Sequence, residues 1–237
     1  IPVITGTEEP EALGVIRAIA GQNGARLVEV SPDDASRPPL DTLELPLLGE
    51  HQRMNAAVTA AVVRALATQL PVSDEVLRAG LATTRWAGRL QTIQRANQTL
   101  LLDGAHNVAG AKVLRAAFTK HFGNRRMALV LGALQDKQWA EICGILAPLA
   151  NQILLAPVAS ERTTSPAQLA AVCQAANPAA DVIICQSLAE ALQFVASVPL
   201  VVVTGSLYLV GEALELLGGG GGPSERALNE WQPRPVQ

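Results

Sequence analysis

The chain has 237 residues, room for one large domain or for one domain with part of another. With 49% hydrophobic and 16% charged residues it carries ample core material, which argues against intrinsic disorder. A net charge of −3, 3% aromatic residues and no basic group denser than Arg125-Arg126 argue against a nucleic-acid partner.

The first thirty residues predict strand, helix, strand. Ile1–Thr5 is a short extended run. Glu8–Gln22 carries Leu13, Ile16 and Ile19-Ala20 at the spacing of one helical face. Leu27–Val30 is a second strand, and the polar, proline-rich stretch Ser31–Leu40 reads as loop. A long alanine-rich helix spans His51–Leu70, and a shorter one spans Asp74–Leu81 with Ser73 as its cap. Thr83–Gly88 breaks the periodicity, and a domain boundary is placed there, after residue 84.

A hairpin follows: Arg89–Gln94, a turn at Arg95–Gln98, and Thr99–Leu102 returning. Helices over Val108–His121, Gln138–Leu149, Pro166–Ala175 and Leu188–Ala196 then alternate with short apolar strands. The strands are Met127–Gly132, Gln152–Pro157, Asp181–Cys185 and Leu200–Thr204. Nearly continuous apolar strands between helices predict an α/β fold with a Rossmann-like, mainly parallel sheet covered on both faces. The first hairpin strand is expected at an antiparallel edge. Ser165-Pro166 reads as a cap with a first-turn proline, and Ser187–Glu190 as a capping box. Ser206–Leu217 is a last helix, and residues 218–237 read as a glycine-rich linker and flexible tail.

No apolar run reaches the roughly 18 residues of a membrane-spanning helix, and no signal peptide is apparent, so no membrane partner is expected. Cys143, Cys173 and Cys185 are scattered without metal-ligand spacing and predict buried, reduced thiols in a cytoplasmic protein. The chain opens on Ile1 rather than methionine and is read as a fragment of a longer protein, or as a processed one.

The turn Gly104–Lys112 follows a strand and opens a helix, as a phosphate loop does. The spacing fails: five residues separate Gly104 from Gly110, and Ala111 stands before Lys112. A dinucleotide fingerprint is also missing. Asp103 nevertheless sits at the carboxyl end of a strand, where open α/β sheets bind ligands. His106 and Asn107 open the next helix, whose free N–H groups favour an anion; a plain cap at Asn107 beside a solvent histidine is the other reading. Leu48–Asn55 opens the long helix, and its His51 and Gln52 are either site residues or capping and packing ones. Thr204–Tyr208 and Gly132–Lys137 close two further strands. Each is either a ligand-binding turn or an ordinary one, and Lys137, one of three lysines, could meet a phosphate or only solvent. In a parallel sheet these turns and Asp103–Asn107 share one edge.

Taken in order, Pro2–Gly6, Glu9–Leu13, Leu48–Gln52 with Asn55, Trp86-Ala87-Gly88-Arg89-Leu90-Gln91, Leu102–Asn107, Asp136-Lys137 and Thr204–Tyr208 resemble the folylpolyglutamate/dihydrofolate synthases of the Mur ligase superfamily. The Gly-Arg segment followed by Asp-Gly-Ala-His-Asn is the specific part. The resemblance implies that residues 1–84 end a central α/β ATPase domain and that residues 85–217 form the C-terminal domain, with an active site between domains. It implies an ATP-dependent C–N ligase: ATP phosphorylates a folate or dihydropteroate carboxylate, and the amine of L-glutamate attacks the acyl phosphate. Such chemistry needs Mg2+ and a water-poor cleft. By family pattern Asn55, Arg89 and Asp103 would contact ATP. Asn55 would meet the adenine, Arg89 the phosphate oxygens and Asp103 the ribose hydroxyls. His106 and Ser206 would receive glutamate, with His51, Lys137 and Tyr208 as further candidates.

The family's phosphate loop, magnesium ligands and modified lysine have no counterpart in the chain. No catalytic or metal-binding residue is therefore assigned here, and the chain alone is expected to be inactive. A monomer is expected. A peptidoglycan-precursor Mur ligase shares the domain plan, and a non-catalytic nucleotide- or amino-acid-binding module would also lack a phosphate loop; both stay as alternatives.

Overall fold

The computed structural model describes residues 1–123 and 125–218; the predicted linker and tail, apart from Gly218, lie outside the described residues. The chain forms two compact units that divide between Arg89 and Leu90.

In the first unit β1 (Val3–Thr5) and β2 (Leu27–Glu29) pair in parallel, Val3 opposite Leu27, joined by α1 (Pro10–Gln22). Only part of the expected α1 face is covered: Ala20 is buried and Leu13 and Ile16 are half-buried, while Ile19 is exposed. The stretch expected to be plain loop contains a 3-10 turn, Pro32–Ser36. Asp34 closes it, its Oδ2 accepting from both Ser31 N–H and Ser31 Oγ at 2.8 Å. Three arginines then tie the following chain down. Arg53 donates to the carbonyls of Ala35, Leu40 and Leu43, Arg64 to that of Pro38, and Arg78 to that of Pro39. A proline-rich segment has few ladder bonds of its own, and guanidinium donors supply what its carbonyls lack. Small side chains on α2 (Glu50–Ala65), namely Ala56, Ala57 and Ala60, let that segment approach and bury Val30, Ala35, Leu40 and Leu43 with Leu77 of α3 (Asp74–Ala82). The long helix ends at Ala65, earlier than expected, and loosens into turns before Pro71, a residue that disfavours helix at its predecessor. Ser73 caps α3 as expected, its Oγ accepting from Val76 N–H at 3.3 Å.

The second unit is a six-stranded sheet with one antiparallel member. Its strands are β3 (Gln91–Arg95), β4 (Gln98–Leu102), β5 (Ala128–Leu131), β6 (Gln152–Leu155), β7 (Asp181–Ile184) and β8 (Leu200–Thr204), in the spatial order β3-β4-β8-β5-β6-β7. The edge strand β3 runs antiparallel to β4, and all other pairs are parallel. β5 and β8 are buried along their whole length, which is why they read as unbroken apolar runs. β7, at the other edge, leaves Ile184 about half exposed. The helices are α4 (Val108–Phe122), α5 (Trp139–Leu146), α6 (Pro166–Ala176), α7 (Leu188–Phe194) and α8 (Leu207–Leu216). Ala147–Leu149, expected in α5, is a 3-10 turn, because Pro148 has no N–H to continue an α ladder. Ser165 makes no side-chain cap bond, although Pro166 does open α6. Ser187 Oγ accepts from Glu190 N–H at 3.1 Å, but the Glu190 carboxylate reaches Gln186 N–H rather than Ser187, so the capping box closes one residue early.

Candidate functional site

β8 enters the sheet between β4 and β5, so the three polar turns read from the sequence are neighbours as well as on one edge. They interlock through the backbone. Gly205 N–H donates to Ala105 O at 3.1 Å, Gly132 N–H to Thr204 O at 3.3 Å, and Asp103 N–H to Val203 O at 3.1 Å. Gly205 has φ +101°, and a Cβ there would lie 2.4 Å from Gly132 O. Only glycine combines that backbone with that approach.

Asp103 is buried at the end of β4 and is committed through both carboxylate oxygens. Oδ1 accepts from Ala105 N–H and Oδ2 from Leu90 N–H, each at 2.9 Å. The second bond joins the two most specific motifs, because Leu90 directly follows Arg89. Leu90 holds a left-handed backbone, φ +46°, after Gly88 at φ +69°. A bulky residue seldom adopts that conformation, and burial of its side chain with the Asp103 bond holds it there.

His106, half-buried, has Nδ1 2.8 Å from Gly104 O. A carbonyl only accepts, so the proton sits on Nδ1, and in the neutral ring Nε2 is the acceptor. Asn107 is the cap of α4, its Oδ1 accepting from Gly110 N–H at 2.7 Å. Ser206 is buried and caps α8, accepting from Tyr208 N–H at 3.2 Å, while the Tyr208 side chain is exposed. Lys137 lies 3.2 Å from Asp136, whose other oxygen is 3.4 Å from Arg162. The Lys137 hydrogen bond holds the Asp136 carboxyl below its usual range. This turn is also laced to residues 162–163 by Gln135 N–H to Arg162 O and by Gln135 Nε2 to Thr163 O.

The first unit gathers the other predicted residues. His51, Asn55 and Arg89 line one cavity of about 560 Å3 with Leu45, Leu47 and Trp86. The Arg89 guanidinium stands 6.0 Å from the centre of the Trp86 ring, at the outer reach of a cation–π contact. Gln52, with the same cavity at its side, is buried and hydrogen-bonds Asn55. The sequence left Gln52 as either a site residue or a capping and packing one, and it gave Trp86 no role of its own. The signal for Trp86 was present, a rare aromatic three residues before Arg89. A larger cavity of about 730 Å3 in the same unit, lined by Arg26, Arg37 and Arg64, contains none of the predicted residues. Cys143, Cys173 and Cys185 are buried free thiols, as expected. Among the described residues no helix is long and apolar enough to cross a membrane.

Residues 88–207 match the family model for the Mur ligase glutamate ligase domain. The dihydrofolate synthase/folylpolyglutamate synthase of Bacillus subtilis (strain 168) is 28% identical over 235 residues, which is 90% of this chain and 54% of that protein. The folylpolyglutamate synthase of Lacticaseibacillus casei is 28% identical over 93% of this chain and 55% of its own. Among solved structures, Mycobacterium tuberculosis folylpolyglutamate synthase complexed with ADP superposes with a TM-score of 0.81 at 25% identity, over 91% of this chain and 54% of that one. The chain thus spans about half the length of the relatives it matches. With its glutamate ligase domain at residues 88–207, the chain belongs to the Mur ligase family, and its relatives there are folylpolyglutamate and dihydrofolate synthases.

Proposed function

We propose that this chain is part of an ATP-dependent ligase that adds L-glutamate to the carboxylate of a folate or a dihydropteroate. The observation that carries the reading is the gathering of His51, Asn55 and Arg89 around one cavity, in a chain that also holds a glutamate ligase domain. Residues 1–89 act as the end of the nucleotide-binding domain. Asn55 meets the adenine, and Arg89 presents its planar fork to phosphate oxygens. Asp103 accepts from ribose hydroxyls. His106 and Ser206 receive glutamate. Because Nδ1–H of His106 is engaged by Gly104, the neutral ring offers Nε2 as an acceptor, which suits the ammonium of glutamate better than its carboxylate. Lys137 serves through Asp136, and Tyr208 stands beside the glutamate position.

The reaction proceeds through an acyl phosphate that the amine of glutamate displaces, releasing phosphate and forming the amide. Magnesium spreads phosphate charge in such a step. The described residues hold no group of three or more His, Cys, Asp or Glu able to bind a metal ion, so its ligands in this reading come from elsewhere in the protein. Three buried thiols suit a cytoplasmic setting.

The 237-residue chain alone should form no ADP with glutamate and folate, while the same chain joined to a phosphate-loop domain should do so. In that active protein Arg89→Ala should lower kcat/KM about a hundredfold. Turnover by the chain alone would contradict the division of labour. Activity on a muramyl peptide in place of a pteroate would move the protein to the peptidoglycan branch.

A further inference from the structure

The cavity of the first unit holds a chain of three polar side chains whose directions are linked. Gln52 is 7% exposed and lies one helical turn before Asn55 on α2. Its Nε2 is 3.0 Å from His51 Nε2, and its Oε1 accepts from Asn55 Nδ2 at 3.0 Å. With His51 Nε2 as the acceptor, Gln52 donates to it from its NH2 end and takes the Asn55 N–H on its oxygen, so the two amides share one direction. Turning it round would set its NH2 against the NH2 of Asn55, unless Asn55 turned as well. Both polar ends of Gln52 are satisfied as they stand, and a buried amide loses one or both bonds on turning alone.

We propose that Gln52 is a positioning residue that fixes the direction of the Asn55 amide, and that this direction selects a 6-aminopurine over a 6-oxopurine in the cavity. The proposal rests on the reading of this cavity as a nucleotide site. With one N–H of Asn55 given to Gln52, Asn55 turns Oδ1 and its second N–H to the cavity. An acceptor beside a donor matches an amino group beside a ring nitrogen, the pairing by which an amide reads adenine. A 6-oxopurine held in the same orientation by its sugar and phosphates puts an acceptor where the amino group was, opposite Asn55 Oδ1. Two acceptors then face each other. Trp86 and the leucines supply area to either base and do not discriminate, so the selection falls to the amide.

The test compares binding of ADP and IDP, which differ at the 6-position, to the 237-residue chain joined to a phosphate-loop domain, by NMR titration, with folding checked by circular dichroism. The unaltered chain should favour ADP by at least about tenfold. Gln52→Leu, which keeps the bulk and removes both polar ends, should bring the ADP-to-IDP ratio near one. Gln52→Glu keeps an oxygen for the Asn55 N–H and should retain the preference. Should the leucine variant fail to fold, Gln52→Met makes the same comparison. A leucine or methionine variant that weakens both nucleotides alike, or leaves the ratio unchanged, overturns the positioning role while the nucleotide site stands. Loss of the preference in Gln52→Glu overturns it too. A chain that binds ADP and IDP equally refutes the selection. A chain that binds neither refutes the nucleotide reading itself, and the proposal with it.

Discussion

Asp103 ties Leu90 and Ala105 together through its two carboxylate oxygens at the end of β4. As a sequence feature it was only an acidic residue after an apolar run, and its appeal was as a ligand contact. Its carboxylate also holds the chain that follows Arg89, so its loss has a structural cost that a contact reaching only toward ligand would not have. Asp103→Asn replaces one acceptor by an NH2 that must face a backbone N–H. It should therefore lower stability by about 1–3 kcal/mol in urea unfolding of the ligand-free chain; an unchanged midpoint would show the carboxylate to be dispensable for the fold. Lys137 illustrates the opposite limit. Its type and place suggested a phosphate contact, yet its ammonium is paired with Asp136 at the surface, an arrangement worth little to stability. The Asn107 cap was legible from residue type alone, because a cap needs only a short polar side chain before a helix. The polarity of Gln52 was not, because it depends on atoms of His51 and Asn55 together.

At the scale of elements, the alternation of apolar runs and helical periodicity was enough to place every strand of the second unit within two residues at each end. The ends were harder. A helix terminus is decided by which side chain reaches which N–H, and the caps expected at Asn107 and Ser165 behaved differently for that reason. Asn107 accepts from Gly110 N–H, while Ser165 makes no such bond. Asn107→Ala should therefore cost about 1 kcal/mol, whereas Ser165→Ala should stay within about 0.5 kcal/mol of the unaltered chain. Equal losses in chemical denaturation would show that the two caps contribute alike. The loop before α2 was misread as plain because its order comes from Arg53, Arg64 and Arg78, which lie far along the chain from the carbonyls they serve.

Across the whole molecule, the two units differ in completeness. The second has a six-stranded sheet with helices packed on it and a dense apolar core. The first has two short paired strands, and α1 leaves Val15 and Ile19 exposed. A pair of strands is marginal on its own, whereas a covered sheet is not. Residues 90–218 expressed alone should therefore melt cooperatively, and residues 1–89 alone should not; a broad, non-cooperative melt of 90–218 would sink this expectation. The sequence by itself determined the α/β class, the mainly parallel sheet with its antiparallel edge strand and the ordered motifs of the family. These rest on local hydrophobic period, turn chemistry and residue order, all readable along the chain. Only the tertiary structure decided that β8 enters between β4 and β5, that Asp103 spends its carboxylate on Leu90 and Ala105, and that Gln52 orients Asn55. Each of these depends on atoms of different residues meeting in space, some as far apart along the chain as Ala105 and Gly205, and hydrogen bonding between such groups leaves no periodic trace in the sequence.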